Sequence, residues 1–460
     1  MKANLKISEG ADPNYLATVV KCPEIKPHPN ADKLQLVEIF GNTIIIGKDL
    51  YVEGEQLIYF PVECCISRKF LSWANLLDSP ELNRDGVTKS YFGKQNRVKA
   101  IGLRGVPSQG FLYKVSELSK YYEIEENTFN IGDIFDTVGD DILVTKYTKK
   151  DSKTGEPSVK KSRVPKWMDK TIGFFPRPVR RGAYKFVNAW YNRNSGGIAS
   201  QIVDGEFRFH YKTENLGKNI WVVDPDDFIT ISSKCHGTSA IYSNIQCKKP
   251  FNPLRSLVNK FGFEIPDKEY KFIYSSRSVI KTRRDGKYTD DVWGLIASEL
   301  EGKIPSNYTL YGEIVGYTPG GKMIQKDYDY SVPKNTCQLM VYRITYNLTD
   351  SVAELDFDEI EEFCEENGLK TVPVYYKGCA SDLFNIPKDE KWHDNFLSAL
   401  KEKYLDKTCE LCTTGAVNEG VVLRRENNPK RTALKFKSPK FLIRESAARD
   451  NNEEDMEEDS

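Results

Sequence analysis

Lys234 is the residue of this 460-residue chain with the most suggestive chemical setting. It stands in Ile231-Ser232-Ser233-Lys234-Cys235-His236-Gly237-Thr238-Ser239-Ala240. A lysine amine becomes a covalent nucleophile when its pKa is depressed and an electrophile is held against it. Gly237, three residues on, lets backbone approach a ligand where a Cβ would clash. Lys-x-x-Gly alone is too common to carry meaning, so its partners decide. Four clusters follow in order: Phe272-Ile273-Tyr274-Ser275-Ser276-Arg277, Tyr311-Gly312-Glu313-Ile314-Val315, Asn418-Glu419-Gly420-Val421-Val422, and Ala433-Leu434-Lys435-Phe436-Lys437. Each has a plain structural alternative, such as an edge carboxylate or an amphipathic strand. Together they supply a lysine nucleophile, an arginine, two strand carboxylates and a lysine pair. Gly316 to Met323 comes within one residue of a P-loop, but Met323 stands where Ser or Thr must hold magnesium, and no helix pattern follows.

These residues need strands to aim them. Trp221-Val222-Val223 and Phe228 to Ile231 read as strand leading into the Lys234 turn. Alternation in Ala433–Lys437 predicts Lys435 and Lys437 on one face, with Leu434 and Phe436 packed inward. A helix is predicted over 358–367, capped by Asp356 or Asp358 and stopped by Asn367-Gly368, and another near Trp392–Tyr404. Upstream, Tyr15–Val20, Leu34–Ile39, Thr43–Ile46 and Gln56–Phe60 are short strand candidates whose spacing suggests a small barrel. Another strand is predicted over 97–105, where Arg97 and Lys99 share a face and Arg104 lies near its end; these could meet backbone phosphates, or else line a solvated barrel face.

Equal numbers of basic and acidic residues, 66 each, make net charge uninformative; its distribution is not. Between 146 and 200, fourteen Lys/Arg, including Arg180 and Arg181, face three acids and are interleaved with eight aromatics. Such a stretch suits a phosphate backbone and unpaired bases, or else a solvated linker. After Arg444 the sequence turns acidic, with seven Asp/Glu in 450–460, a composition expected to be disordered. No apolar run reaches the roughly 18 residues of a membrane span. Ten scattered cysteines suit free thiols in a reducing compartment, and Cys409-x-x-Cys412, without a second pair nearby, is weak support for zinc. The expected organisation is residues 1–145, 146–204 (basic, aromatic-rich), 205–445 and an acidic tail over 446–460.

The ordered clusters resemble the collinear motifs of the covalent nucleotidyltransferases: DNA ligases, RNA ligases and mRNA-capping enzymes. Lys234-Cys235-His236-Gly237 is similar to the lysine motif, Tyr311-Gly312-Glu313 to the third, Glu419-Gly420 to the fourth and Lys435-Phe436-Lys437 to the fifth. His236-Gly237-Thr238-Ser239 resembles the RNA ligases. Pro27-His28-Pro29-Asn30-Ala31-Asp32, Leu103-Arg104-Gly105, Ser108-Gln109-Gly110 and Val144-Thr145-Lys146-Tyr147 resemble a subgroup with an N-terminal OB-fold module. Only about two dozen residues follow Lys437, too few for the trailing OB domain of typical DNA ligases and capping enzymes. The implied fold is α+β: an N-terminal OB-like β-barrel, then an ATP-grasp-like nucleotidyltransferase domain of antiparallel sheets flanked by helices.

The resemblance implies an ATP-dependent RNA ligase, cytoplasmic, monomeric and of phage or bacterial source, acting on RNA with 5′-phosphate and 3′-hydroxyl ends in a nicked or structured setting. It implies Lys234 as nucleophile, its pKa lowered by Lys435, Lys437 and metal. Gly237, Arg277, Glu313, Glu419, Lys435 and Lys437 would hold nucleotide. Glu313 and Glu419 would hold Mg2+ or Mn2+, while Arg97, Lys99, Arg104, Arg180 and Arg181 would meet RNA. Three positions depart from the pattern: Ser233 where a base-reading Glu is expected, Leu339 where a stacking aromatic is expected, and Arg343 at an Asp place. Alternatives are another covalent nucleotidyltransferase, or an inactive RNA-binding relative.

Overall fold

A computed structural model describes residues 5–148, 198–249, 266–281, 291–348, 351–427 and 431–451. Arg180 and Arg181, and the basic stretch around them, lie outside the described residues.

The predicted N-terminal strands form as Ala17–Lys21, Leu34–Ile39, Asn42–Gly47 and Gln56–Phe60. They divide between two small antiparallel sheets. Phe111–Lys114, Gln56–Phe60, Ala17–Lys21 and Ile134–Phe135 make one of four strands, and Lys26–Pro27, Leu34–Ile39 and Asn42–Gly47 make one of three. The module is all-β at its centre as expected, but its strands hydrogen-bond as separate sheets rather than one continuous barrel. Val20, Val37, Ile44 and Tyr59 fill one core, while Ile58, Phe60, Phe70 and Phe135 fill another. Alternation explains this, because successive residues of Gln56–Phe60 face opposite sides and both sides are covered.

The second half is built on two sheets. One has five strands, in the order Glu214–Asn215, Ala433–Lys437, Gly420–Arg425, Phe228–Ser233, Val374–Cys379. The other has seven: Ile280–Lys281, Lys268–Ser275, Thr238–Lys248, Tyr308–Gly316, Cys337–Asn347 and Val352–Glu354 in order, with Lys370–Thr371 pairing Cys337–Asn347. All pairs are antiparallel except Glu214–Asn215 with Ala433–Lys437 and Lys370–Thr371 with Cys337–Asn347. Helix Trp392–Tyr404 packs Trp392, Phe396 and Leu400 on the first sheet's core. Helices Val292–Leu300 and Phe357–Glu366 cover the second. Asp356 caps the latter through a full capping box with Glu359, which satisfies otherwise orphaned N–H groups.

Two expectations fail here. Trp221-Val222-Val223 does not join the strand: Ile220–Val222 is a 3-10 turn, and the strand begins at Phe228. The tail does not begin at 446 either, because Pro439–Asp450 is an α-helix, started by Pro439 and capped by Ser438. Proline at the first turn costs no hydrogen bond, and the helix docks Ser446 against Ala100 of the N-terminal region. The Arg97 expectation is corrected for the same reason. Its side chain is 0% exposed, paired with Glu63 at 3.0 Å and Asp450 at 2.5 Å, so it fastens this helix and offers nothing to a phosphate. Lys99 is part-exposed and pairs with Asp450 at 2.7 Å, while Arg104 is exposed in the turn after Ala100–Leu103.

All ten cysteines are free thiols. No described helix is long and apolar enough to cross a membrane.

Candidate active site

The turn at Lys234 is the link between the two sheets. Phe228–Ser233 belongs to the five-stranded sheet, Thr238–Lys248 to the seven-stranded one, and the four residues between them carry the lysine. Register does the rest. Ser233 pairs with Val421, and the Lys234 N–H donates to the Gly420 carbonyl at 3.0 Å. Gly420 in turn pairs with Lys437, so Lys234, Gly420 and Lys437 form one row across the sheet. On the other sheet Ser239 pairs with Glu313, which brings the third-motif carboxylate beside the same turn.

The side chains converge accordingly. Lys234 Nζ lies 2.8 Å from Glu419 Oε1, and Lys437 Nζ lies 3.3 Å from that same oxygen. Glu313 Oε1 accepts the Gly237 N–H at 3.0 Å. Gly237 tolerates no substitution, since a Cβ there would stand 2.2 Å from the Ile314 carbonyl oxygen. Gly420 has φ +147 and the same 2.2 Å limit against the Phe436 carbonyl oxygen; both positions need glycine for close approach and, at Gly420, for backbone conformation. The Leu434 and Phe436 side chains are buried, leaving Lys435 and Lys437 on the opposite face as the alternation predicted.

Around this row lies a cavity of about 290 Å³, bordered by Lys234, Arg277, Glu313, Lys435 and Lys437 among others. Four of the six nucleotide-binding candidates, Arg277, Glu313, Lys435 and Lys437, border the cavity; of the other two, Glu419 touches Lys234 and Lys437, and Gly237 touches Glu313. Burial, then the charges of Lys437 and Lys234, push Lys435 down to about 8. His210, also on the wall, is pushed down to about 3 by burial and then by Arg343 and Arg277, so its imidazole is neutral.

The departures acquire a geometry. Leu339 is buried and would touch a Cβ at Gly312, whereas Tyr342 borders the cavity. The pairing of Tyr308–Gly316 with Cys337–Asn347 shifts between Tyr311 and Gly312, skipping Tyr342. Such a bulge re-aims side chains, and it lets both Tyr342 and Arg343 reach the wall. Leu339 thus stays behind the wall, and Tyr342 is one of the rings that border the cavity, with Tyr211 and Phe357 among the others. Arg343 is clasped between the Tyr211 and Tyr311 rings, 4.8 and 4.6 Å from their centroids, and pairs with Glu354 at 2.8 Å. Ser233 is buried on the wall, its N–H held by the Pro373 carbonyl at 2.8 Å.

Other residues of the site carry no sequence signal strong enough to name them. His236 places Nδ1 3.6 Å from Glu419 Oε2 and packs edge-on to Tyr328 and Phe441. Its N–H donates to the Tyr330 hydroxyl, and Gln325 Nε2 donates to the Gly237 carbonyl at 2.9 Å. The His-Gly phrase is the available signal for His236; nothing local marks Gln325. Asp12, Tyr15 and Lys146 of the N-terminal region and Lys212 also border the cavity, Asp12 lying 3.9 Å from Lys146 and 3.7 Å from Lys212. Their distance along the chain from Lys234 hides them.

Glu419 Oε2 is buried and makes no hydrogen bond. A carboxylate oxygen left so, with His236 Nδ1 3.6 Å away, is a donor of the hard kind that divalent cations take. Among the described residues no group of three or more His, Cys, Asp or Glu is placed to hold a metal. Magnesium commonly takes one or two carboxylates and completes its shell with water and substrate phosphate, so this donor set is of the right kind. Among the same residues, Cys409 and Cys412 lack the further ligands a zinc site requires.

Residues 227–437 match the family model described as RNA ligase. No curated protein matches the chain. Among solved structures the fold is similar to a Naegleria gruberi RNA ligase: a mutant with ATP and Mn (15% identity, 93% of this chain and 98% of that one, TM-score 0.53). A second mutant, with AMP and Mn, gives 16% identity, 94% and 98% coverage, and a TM-score of 0.54. At this identity the likeness is one of fold.

Proposed function

We propose that this chain, whose residues 227–437 carry an RNA ligase domain, is an ATP-dependent RNA ligase. It joins RNA 3′-hydroxyl and 5′-phosphate ends, working as a cytoplasmic monomer. The observation that carries this reading is the row of Lys234, Glu419 and Lys437, with both ammonium groups within 3.3 Å of one carboxylate oxygen at the wall of a nucleotide-sized cavity.

Lys234 Nζ, once it has shed its proton, attacks the α-phosphate of ATP. A phosphoramide N–P bond forms as the bond to pyrophosphate breaks. An RNA 5′-phosphate oxygen then displaces the lysine, taking AMP and restoring the amine. Finally the 3′-hydroxyl attacks the capped phosphate, loses its proton and releases AMP. In each displacement negative charge builds on non-bridging oxygens. Lys435 and Lys437 face that position and stabilise it, an effect enlarged where water is excluded. Arg277 at the cavity edge holds ribose or a substrate phosphate. Glu313 and Glu419 would hold a divalent cation, which supplies charge stabilisation on the phosphates and leaving group. Tyr342 offers a ring on the same wall for the base.

Incubation with α-labelled ATP should label the protein, and Lys234→Ala should reduce labelling by about a thousandfold or more, the scale on which loss of a nucleophile acts. Label from GTP alone would overturn the ligase reading in favour of a guanylyltransferase. Sealing of a 5′-phosphate nick should be faster with RNA than with DNA on the 3′-hydroxyl side; equal rates would remove RNA specificity.

A further inference from the structure

Lys437 has a second acidic partner that the nucleotidyl-transfer scheme does not use. Its Nζ lies 3.1 and 3.2 Å from the two carboxylate oxygens of Glu445, in addition to Glu419 at 3.3 Å. Glu445 belongs to helix Pro439–Asp450, which starts directly after the lysine strand. One turn further, Arg449 lies 3.5 Å from Glu445 and 2.6 Å from Glu63 of the N-terminal region. Glu63 also holds the buried Arg97 at 3.0 Å and accepts the Ser446 hydroxyl at 2.8 Å. Arg97 continues to Asp450. From Lys234 through Glu419, Lys437, Glu445, Arg449, Glu63 and Arg97 to Asp450, cation and anion therefore alternate without a break.

This chain of pairs is mostly sheltered from water. The exposures of the Glu419, Glu63 and Arg97 side chains are 3%, 5% and 0%, and those of Lys437, Glu445 and Arg449 lie between 16% and 23%. Burial alone would raise the Glu445 carboxyl, but Lys437 and Arg449 bring it down to about 2, so it is an anion at any working pH. Other charged or titratable groups around it are His236 from the Lys234 turn and Tyr15 from the N-terminal region. Pairs sheltered in this way impose geometry more than they add stability.

We propose that Glu445 is a positioning residue. It holds the Lys437 ammonium together with Glu419, so that Glu419 shares the countering of this lysine's charge. Through Arg449 and Glu63 it ties that geometry to docking of the N-terminal region. The consequence is directional. Without Glu445, the pull of Glu419 on Lys437 is no longer balanced by the helix carboxylate, so the ammonium shifts toward Glu419 and away from the α-phosphate, and the nucleophile's own partner is altered. The loss falls on the turnover of bound ATP rather than on its capture, which rests on the rest of the cavity.

The inference rests on the ligase reading, and full-length protein with α-labelled ATP tests both. Glu445→Gln should lower the rate of self-adenylylation at saturating ATP by tenfold or more, with the KM for ATP changed by less than about threefold. Glu445→Asp should recover part of the rate. Glu63→Gln should give a smaller loss of the same kind, and the double variant should be no slower than Glu445→Gln alone, because residues acting through one network are not additive. Effects that multiply in the double variant, or a change in KM alone, would overturn the inference while leaving the ligase reading intact. Absence of label on the wild-type protein would overturn both. Should Glu445→Gln unfold below the assay temperature, Glu445→Asp with Glu63→Gln carries the same cycle.

Discussion

Lys435 is where the electrostatics of the site can be read at a single residue. Burial and the ammonium groups of Lys437 and Lys234 all act against its charge and bring it down to about 8. A lysine whose pKa falls on folding costs stability while it stays protonated; the cost is complete below about pH 8 and disappears as pH rises toward the unfolded value, near 10.4. Lys435→Met should therefore raise the unfolding midpoint measured at pH 7, with the gap to wild type closing above pH 8. The same variant should slow adenylylation about a hundredfold or more, the scale of losing one preorganised charge at a developing anion. A gap that widened with pH would contradict the assigned direction. Chemistry at this scale is legible in the sequence: Lys234, Glu313, Glu419, Lys435 and Lys437 can each be named from residue type and order. Tyr342 cannot, because a one-residue bulge opposite Tyr311 and Gly312 changes which side chain faces the wall, and a bulge leaves no sign in the alternation of Leu339 to Ile344.

Among the elements, helix Pro439–Asp450 departs furthest from expectation. Its composition, Pro439 to Asp450 with five apolar residues scattered among charges, shows no clear amphipathic stripe, and the acidic run beyond it suggests an early tail. What orders it is tertiary: Phe441 is buried, Ser446 meets Glu63 and Ala100, and Arg449 and Asp450 close on Glu63 and Arg97. A chain ended at Glu445 should lose about 3–5 kcal/mol of stability, the usual cost of leaving a buried charge short of its partner. A chain ended at Asn451 should unfold at the wild-type temperature. Equal midpoints for the two truncations would show that the helix contributes nothing. Helices Phe357–Glu366 and Trp392–Tyr404, by contrast, are readable in advance, since a capping box and a regular apolar face are local properties.

For the molecule as a whole, the N-terminal region is seated directly on the C-terminal half. A Cβ at Gly217 would stand 1.9 Å from the Phe40 carbonyl oxygen, one at Gly41 would stand 2.9 Å from the Phe436 ring, and Lys218 donates to the Leu16 carbonyl at 3.0 Å. Asp12, Tyr15 and Lys146 consequently become part of the cavity wall. Binding of RNA is the remaining large-scale expectation, and it now rests on Lys99, Arg104 and the basic stretch with Arg180 and Arg181, since Arg97 is buried. Replacing Arg180 and Arg181 with alanine should weaken RNA binding and flatten its salt dependence, by about 0.7 in log–log slope for each phosphate of a single strand no longer neutralised. Self-adenylylation should be unaffected. An unchanged slope in filter-binding titrations would remove these arginines from the RNA path.

The amino-acid sequence by itself determined the chemical inventory and its order, the alternating strand that presents Lys435 and Lys437, and the glycine that close approach demands at 237. These follow from residue type and from spacing within one element, which neighbours in sequence are enough to define. Tertiary structure alone decided the rest. It set the register that aligns Lys234, Gly420 and Lys437 across three strands. It buried Arg97 where a phosphate partner was expected, and it brought Glu63, Glu445 and Arg449 within reach of the Lys234–Glu419–Lys437 row. Glu63 meets Ser446 and Arg449 across more than 300 positions of chain, and such partners are selected by burial and packing that no local pattern encodes.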